Sequence, residues 1–291
     1  MTYRIGNERL KVAFSTRGGE LMSIRGADGT EYLWQGDPRY WPDRAPNLFP
    51  YVARLTEGKY RLDGREWRLP IHGFVTGSKL EIESLGPDCC TLALFSNDET
   101  RRMYPFDFAY RIQYALSGNT LAVRYRVDNR SDRTAYFGIG GHPGFRVPIS
   151  DRLRFEDYFL EFGSECSPLR IGFSDDRFVT GKDTPYPLED GRILRLRHGL
   201  FDDDAVVLSR VPPSVSLRSR LDERMVRVDF PGFRYLGIWH APGTDAPYVC
   251  IEPWYSLPSR KGVVEELSRQ PGLARLESGG RFEASFAITC L

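Results

Sequence analysis

Histidine is scarce in this 291-residue chain, with four in all, and the five cysteines are an odd number that includes the adjacent pair Cys89 and Cys90. No CxxC spacing is present, so the cysteines form neither a metal cluster nor a disulfide framework, and reduced core thiols are expected. Charge of one sign is missing too. Forty basic side chains against thirty-nine acidic ones leave a formal charge of +1, which removes any global electrostatic reason to bind nucleic acid or an anionic membrane and leaves a small neutral ligand easy to accommodate. The first residues, MTYRIGNERLKVAF, lack the apolar segment of a signal peptide, and no later run approaches the roughly 18 apolar residues of a spanning helix. A soluble, cytoplasmic protein with no membrane partner is expected. There is no P-loop, no GxGxxG fingerprint and no Cys/His metal cluster, so no cofactor and no metal are expected. Repeats, low-complexity tracts and composition shifts are lacking as well, which favours one domain over residues 1–291 and leaves monomer and homodimer open.

What the chain has is alternation with a period of two. Phe108, Tyr110, Ile112, Tyr114 and Leu116 alternate with other residues, and after Ser117-Gly118-Asn119 the pattern resumes at Leu121, Val123, Tyr125 and Val127. This spacing predicts a long antiparallel hairpin within 106–129. The same short β-rich runs, punctuated by Gly, Asp, Asn or Pro, recur at 9–14, 19–25, 58–69, 79–84, 90–96, 204–209, 213–218, 225–230, 235–240, 246–251 and 281–290. Helical signals are confined to 98–103 and 263–269. The expected fold is therefore all-β: a large single-domain antiparallel β-sandwich with a few short helices, in which 164–192 forms a long excursion.

A sandwich names no function, so the polar residues must. His72 lies in Ile71-His72-Gly73-Phe74 and His142 in Gly140-Gly141-His142-Pro143-Gly144-Phe145, each in a turn after a strand end, where glycines allow sharp bends and close approach of a ligand. Taken alone, each reads first as a structural hydrogen-bonder. His198, in the charged run 195–198, reads as a solvated face residue; His240 ends a strand beside Trp239 and either lines a site or caps the strand. Glu252, in Val249-Cys250-Ile251-Glu252-Pro253-Trp254, ends an apolar strand, where burial raises a carboxyl pKa and suits proton transfer; an arginine-satisfied buried Glu is the competing reading. Arg54 interrupts the apolar run Asn47 to Leu55 and needs a carboxylate or ligand hydroxyls as partner. Trp34, Tyr40, Trp41 and Trp67 read mainly as core, whereas Trp239 and Trp254 flank the probable site.

In order and spacing, the N-terminal strands leading to Gly18-Gly19-Glu20-Leu21, the strings LFPYVARL, GKYRLDGREWRLPIHGF, NDETRRMYPFDFAYRIQYAL, GGHPGF, FDDDAVVL and CIEPW resemble the aldose 1-epimerase (galactose mutarotase-like) family, in particular its LacX-type branch, over nearly the whole chain. The resemblance implies a galactose mutarotase-like supersandwich and an isomerase acting on a monosaccharide without a cofactor. It implies His142 as general acid to the ring oxygen and Glu252 as general base on the anomeric hydroxyl. It further implies His72 and Arg54 as sugar-binding groups and one aspartate of Asp202, Asp203 and Asp204, with Asp204 favoured because it directly precedes the apolar strand. Two departures bear on pocket shape: Ala53 stands where many relatives have glycine, and Tyr255-Ser256 follows EPW where a small residue and Gly are common. Mutarotation asks for the same set independently, since one acid and one base suffice to open and reclose a hemiacetal.

Three other functions are compatible with the fold. A hexose-6-phosphate 1-epimerase would gather basic side chains at the far end of the pocket, with Arg101, Arg102, Arg260 and Lys261 as candidates by composition. A non-catalytic carbohydrate-binding protein would have no need of both His142 and Glu252. A glycosidase would be expected to use two carboxylates.

Overall fold

The computed structural model describes all residues 1–291, and nearly all of its order is antiparallel sheet. Nine strands form the larger sheet, in the order Ile193–Arg195, Tyr158–Phe162, Ser214–Ser219, Met225–Asp229, Arg281–Cys290, Thr120–Asn129, Phe108–Ser117, Cys89–Phe95 and Glu81–Leu85. At its centre the expected hairpin pairs Ser117 with Thr120 across a two-residue loop and continues to Phe108 opposite Asn129. A second, eight-stranded sheet runs Thr184–Pro185, Leu169–Arg170, Val206–Ser209, Tyr235–Trp239, Tyr248–Trp254, Gly140–Gly141 and Asn47–Leu48, with Gly144–Arg146 also on Tyr248–Trp254. A three-stranded N-terminal sheet and two short ribbons complete the molecule. The architecture is a galactose mutarotase-like β-sandwich.

Side-chain alternation decides what each face of the smaller sheet does. Val249 and Ile251, Leu236 and Ile238, and Val206 and Leu208 enter a core cluster of 63 residues that draws on both sheets and on chain segments from Ile5 to Cys290. Their neighbours point the other way. Cys250 and Tyr248 join a small cluster with Trp34, Ala241 and Ala246, and Trp254 and Val207 join another with Leu48, Val52 and Ile171. The smaller sheet is thus apolar on both faces, with the sandwich core behind it and two satellite clusters in front.

Phe49, just after the strand Asn47–Leu48, ties the layers together. Its fully buried ring meets Phe74, Tyr104, Phe108, Tyr110 and Phe137 at centroid separations of 5.0–6.1 Å. Beside it Asn47 forms a polar bolt: Tyr125 Oη donates to Asn47 Oδ1 at 2.7 Å, and Asn47 Nδ2 donates to the Gly18 carbonyl at 3.0 Å and to Tyr114 Oη at 3.3 Å. Because every polar group in this buried set has a partner, it fixes one relative placement of the sheets without a desolvation penalty.

Four expectations change in detail. The run 58–69 is a hairpin of Lys59–Leu62 and Arg65–Arg68, turning at Asp63 and Gly64, both with positive φ. The run 204–209 begins its strand only at Val206, because Asp204 (φ 80°) still belongs to the preceding turn. At 263–269 only a single turn of 3-10 helix, Leu267–Arg269, forms, whereas 98–103 is a helix, Asp98–Met103, with an Asn97/Thr100 capping box. The excursion 164–192 is stitched down as two edge strands, Leu169–Arg170 and Thr184–Pro185, and by Val179 N–H donating to the Ser259 carbonyl. No helix is long and apolar enough to cross a membrane. Replacing Phe49 by Ala is expected to cost about 3–5 kcal/mol, the usual loss for a large buried aromatic, and unfolding followed by far-UV circular dichroism and by tryptophan fluorescence should give one coincident transition. Two separated transitions would show that the core does not act as a single cooperative unit.

Candidate functional site

A cavity of about 520 Å³ opens on the outer face of the smaller sheet, away from the sandwich core. The register of the sheet sets its centre. Gly140 pairs with Trp254 and Gly144 with Cys250, and the Ile251 amide donates to the Pro143 carbonyl at 3.1 Å, so His142 falls directly across from Glu252. His142 Nε2 and Glu252 Oε2 are 3.3 Å apart, and Glu252 is only 1 % exposed. On the neighbouring strand Gly237 is Glu252's partner. A Cβ there would stand 3.2 Å from Glu252 Cβ and 3.3 Å from the Trp254 ring, so the missing side chain makes the space that both occupy. The Trp254 indole N–H donates to Glu252 Oε2 at 3.1 Å.

Burial governs the electrostatics of this pair. It pushes the Glu252 carboxyl well above the ordinary 4.5; the Trp254 hydrogen bond opposes the rise and the negative charge of Asp204 adds to it. Burial also pushes the His142 imidazole well below 6.5, reinforced by His72. Each group therefore resists its own charge, and the pair is most stable holding one proton between them. The His142 ring lies 4.9 Å from Trp41 at 31° and 5.6 Å from Trp239 at 84°, so aromatic faces and edges replace water around it.

His72 stands on a backbone device that also carries Arg54. The His72 amide donates to the Ala53 carbonyl at 2.7 Å, and the Ala53 amide donates to His72 Nδ1 at 3.2 Å. That second bond fixes the neutral tautomer: Nδ1 accepts, so Nε2 carries the proton. Ala53 (φ 57°), His72 (φ 65°) and Gly73 (φ 74°) all occupy the left-handed region, which accounts for a glycine preference at position 53. At Gly73 a Cβ would collide with the Phe49 carbonyl. Burial, with the nearby Arg54 charge, lowers the His72 pKa to about 4. The two imidazoles are 5.4 Å apart, edge to face.

All seven candidate residues, Arg54, His72, His142, Asp204, Trp239, Glu252 and Trp254, line this one cavity. The Arg54 guanidinium, placed in an otherwise apolar run, makes no ion pair. Of the three consecutive aspartates, Asp203 and Asp204 reach the cavity and Asp202 does not. Asp204 accepts from Arg177 Nε at 2.8 Å. Trp41, read as core, is a wall of the site. The excursion supplies residues that sequence reasoning passed over, among them Arg170, Phe173 and Arg177. None of Arg101, Arg102, Arg260 and Lys261 lines the cavity: Arg260 is paired with Glu265, Lys261 lies near Asp176, and Arg101 binds Asp107. His198 is half-buried and not free in solvent. It stacks on Phe155 at 4.1 Å, and its Nδ1 lies 3.2 Å from Nε2 of the fully buried His240, whose Nδ1 hydrogen-bonds the Ala241 carbonyl at 2.8 Å.

Comparison with known proteins gives a consistent pattern. Residues 1–265 match the family model described as aldose 1-epimerase. The chain is 34% identical to the chromosomal protein LacX of Lactococcus lactis subsp. lactis over the full length of both. Among solved structures, a galactose mutarotase related enzyme from Lactobacillus acidophilus superposes with a TM-score of 0.94 at 34% identity, covering 100% of this chain and 97% of that one. A galactose mutarotase-like protein from Lactobacillus casei superposes with a TM-score of 0.93 at 28% identity, covering both chains fully.

The depressed histidines make a prediction about stability. His72 and His240 titrate near 4 in the folded chain against 6.5 when free, so on acidification the unfolded chain takes up protons first. Their contribution is complete above pH 6.5 and is lost as pH falls towards 4. Urea unfolding at pH 7.5 and pH 5 should show lower stability at pH 5, and His72→Gln should reduce that difference. An unchanged difference in the variant would mean that His72 is not held neutral.

Proposed function

The chain belongs to the aldose 1-epimerase family, and from that premise we propose that it is a mutarotase that interconverts the α and β anomers of a free aldohexose. The single observation that carries this reading is the His142–Glu252 pair: two proton-transferring groups 3.3 Å apart, both buried and both facing one sugar-sized cavity.

Glu252 takes the proton of the C1 hydroxyl while His142 gives one to the ring oxygen. The bond between C1 and the ring oxygen breaks, leaving an open-chain aldehyde. Rotation about C1–C2 presents the other carbonyl face, and the proton transfers run in reverse as the ring closes. Protons balance at every stage, because the pair starts and ends with one. Ring opening leaves Glu252 protonated and His142 neutral, the arrangement that burial favours, and reclosure returns the Glu252 proton to C1–O and the ring-hydroxyl proton to His142, which restores the starting state. Imidazolium in the reactive form is supported by the Trp41 face beside it, a cation–π contact that needs no water. His72, neutral with its Nε2 proton free to donate, is assigned to the sugar oxygen near His142. Arg54 and Asp204 are assigned to the remaining hydroxyls, and Trp239 and Trp254 to apolar faces of the ring.

Glu252→Gln and His142→Asn should each lower kcat by about 10²–10⁴, the usual scale of a general acid–base contribution, and the double variant should lose less than the product of the two. Arg54→Ala should act mainly through KM. The pH profile should be a bell marking the window in which the pair holds one proton. Its acid limb, where a second proton binds, lies below 6.5, and its alkaline limb, where the last proton leaves, lies above 4.5. Optical rotation of freshly dissolved α-glucose and α-galactose, with the spontaneous rate subtracted, is the assay. Near-wild-type rates in either single variant would sink the mechanism, and turnover of glucose 6-phosphate alone would transfer the protein to phosphosugars.

A further inference from the structure

The face of Tyr248–Trp254 that carries Glu252 also carries Cys250, one side-chain period earlier, and proton transfer to a sugar leaves that thiol unused. A ring nitrogen of His142, Cys250 Sγ and a carboxylate oxygen of Glu252 all lie within 4.8 Å of one another, and all three residues are buried. No other three His, Cys, Asp or Glu side chains in the chain meet this spacing. We infer that these three side chains form a binding site for a thiophilic divalent cation, zinc in the first instance, and that an ion bound there switches the enzyme off.

The donor set decides the class of ion. One thiolate, one imidazole and one carboxylate suit zinc, cobalt(II) or cadmium, and not magnesium or calcium, which take oxygen donors. Bond lengths of about 2.0–2.3 Å imply ligand-to-ligand separations of about 3.3–3.6 Å in a tetrahedral site. His142 Nε2 and Glu252 Oε2 are already 3.3 Å apart, so only the sulfur has to close in, by about 1 Å, through side-chain rotation. His142 Nδ1 has no hydrogen-bond partner, so no bond at that atom resists the adjustment. The strand fixes Cys250 and Glu252 on one side and the sheet register brings His142 across from them, so the ligands are placed by backbone pairing and not by mobile loops. His142 and Glu252 both line the cavity, from which water can reach the remaining coordination position. Thiolate and carboxylate together match the charge of the ion, giving the neutral centre that a buried site requires. The loss of activity follows from the mutarotase reading on which this clause rests: the coordinated imidazole nitrogen has no lone pair left with which to move a proton, and the cation makes the bound carboxylate a far weaker base.

The test uses the intact, metal-stripped protein. One equivalent of cobalt(II) should bind and give a thiolate-to-cobalt charge-transfer band in the near ultraviolet, with visible bands of tetrahedral intensity, and zinc should displace it. Zinc should inhibit anomerisation reversibly, with recovery on adding EDTA, while magnesium has no effect. Cys250→Ser and Cys250→Ala should abolish the charge-transfer band and raise the zinc concentration for half-inhibition by at least about tenfold, no less than the loss seen when an outer-shell partner of a metal is removed. Both should keep their metal-free activity. Absence of the band in the wild-type protein, or zinc inhibition of both variants at wild-type concentrations, would overturn the inference. Because the cobalt spectrum and its stoichiometry need no turnover, a chain that binds one cobalt through sulfur yet anomerises no sugar would refute the proposed function and leave the metal site standing.

Discussion

The functional geometry depends on one antiparallel register. With Gly140 opposite Trp254 and Gly144 opposite Cys250, the two side chains at the centre, His142 and Glu252, are cross-strand neighbours, and residues more than a hundred positions apart meet at hydrogen-bonding distance. A slip of one residue would turn Cys250, Glu252 and Trp254 towards the sandwich core and bring Val249, Ile251 and Pro253 to the cavity. That alternative is prohibited by Val249 and Ile251, which are fully buried in the main cluster. Hydrophobic burial on one face thus places the polar pair on the other.

Around this pair burial disfavours charge on His72, His142 and Glu252. The Ala53 amide holds His72 in a neutral tautomer and aromatic rings surround His142, while the Trp254 indole N–H only partly offsets the effect of burial on Glu252. The Arg54 guanidinium is a permanent charge in the same wall and has no carboxylate partner. Its field reaches His72 and works in the same direction as burial. The second histidine pair lies elsewhere, with His198 stacked on Phe155 and His240, whose charge burial disfavours, tilted against Phe201.

Much of this was legible in the sequence where a signal is local. Alternation from Phe108 to Val127 specified the central hairpin, and the glycine-flanked His72 and His142 with the strand-end Glu252 marked the site. A local signal was also overlooked, since Asp63-Gly64 is the dipeptide that turns a two-residue hairpin, and it divides 58–69 in two. What the sequence could not reveal depends on long-range pairing. His198 looks solvated among charged neighbours, and only the arrival of His240 and Phe155 from distant segments covers part of its ring. Asp202, Asp203 and Asp204 cannot be ranked by composition, because the left-handed backbone at Asp204 and its partner Arg177 decide which way they face. The excursion carries no periodicity, so its role as a wall of the cavity was invisible.

That the cavity lies on the outer face of the smaller sheet, and not between the sheets, divides the molecule into a part that must stay and parts that are free to vary. The His142–Glu252 pair is anchored in paired backbone. The surrounding wall comes largely from connections that contribute little to the main core: the turns at Ala53-Arg54 and Ile71-His72, the aspartate turn, and the segment from Arg170 to Arg177. Lineages descending from such a chain can therefore reshape the cavity by rebuilding loops, with the His142–Glu252 pair and the main core left in place.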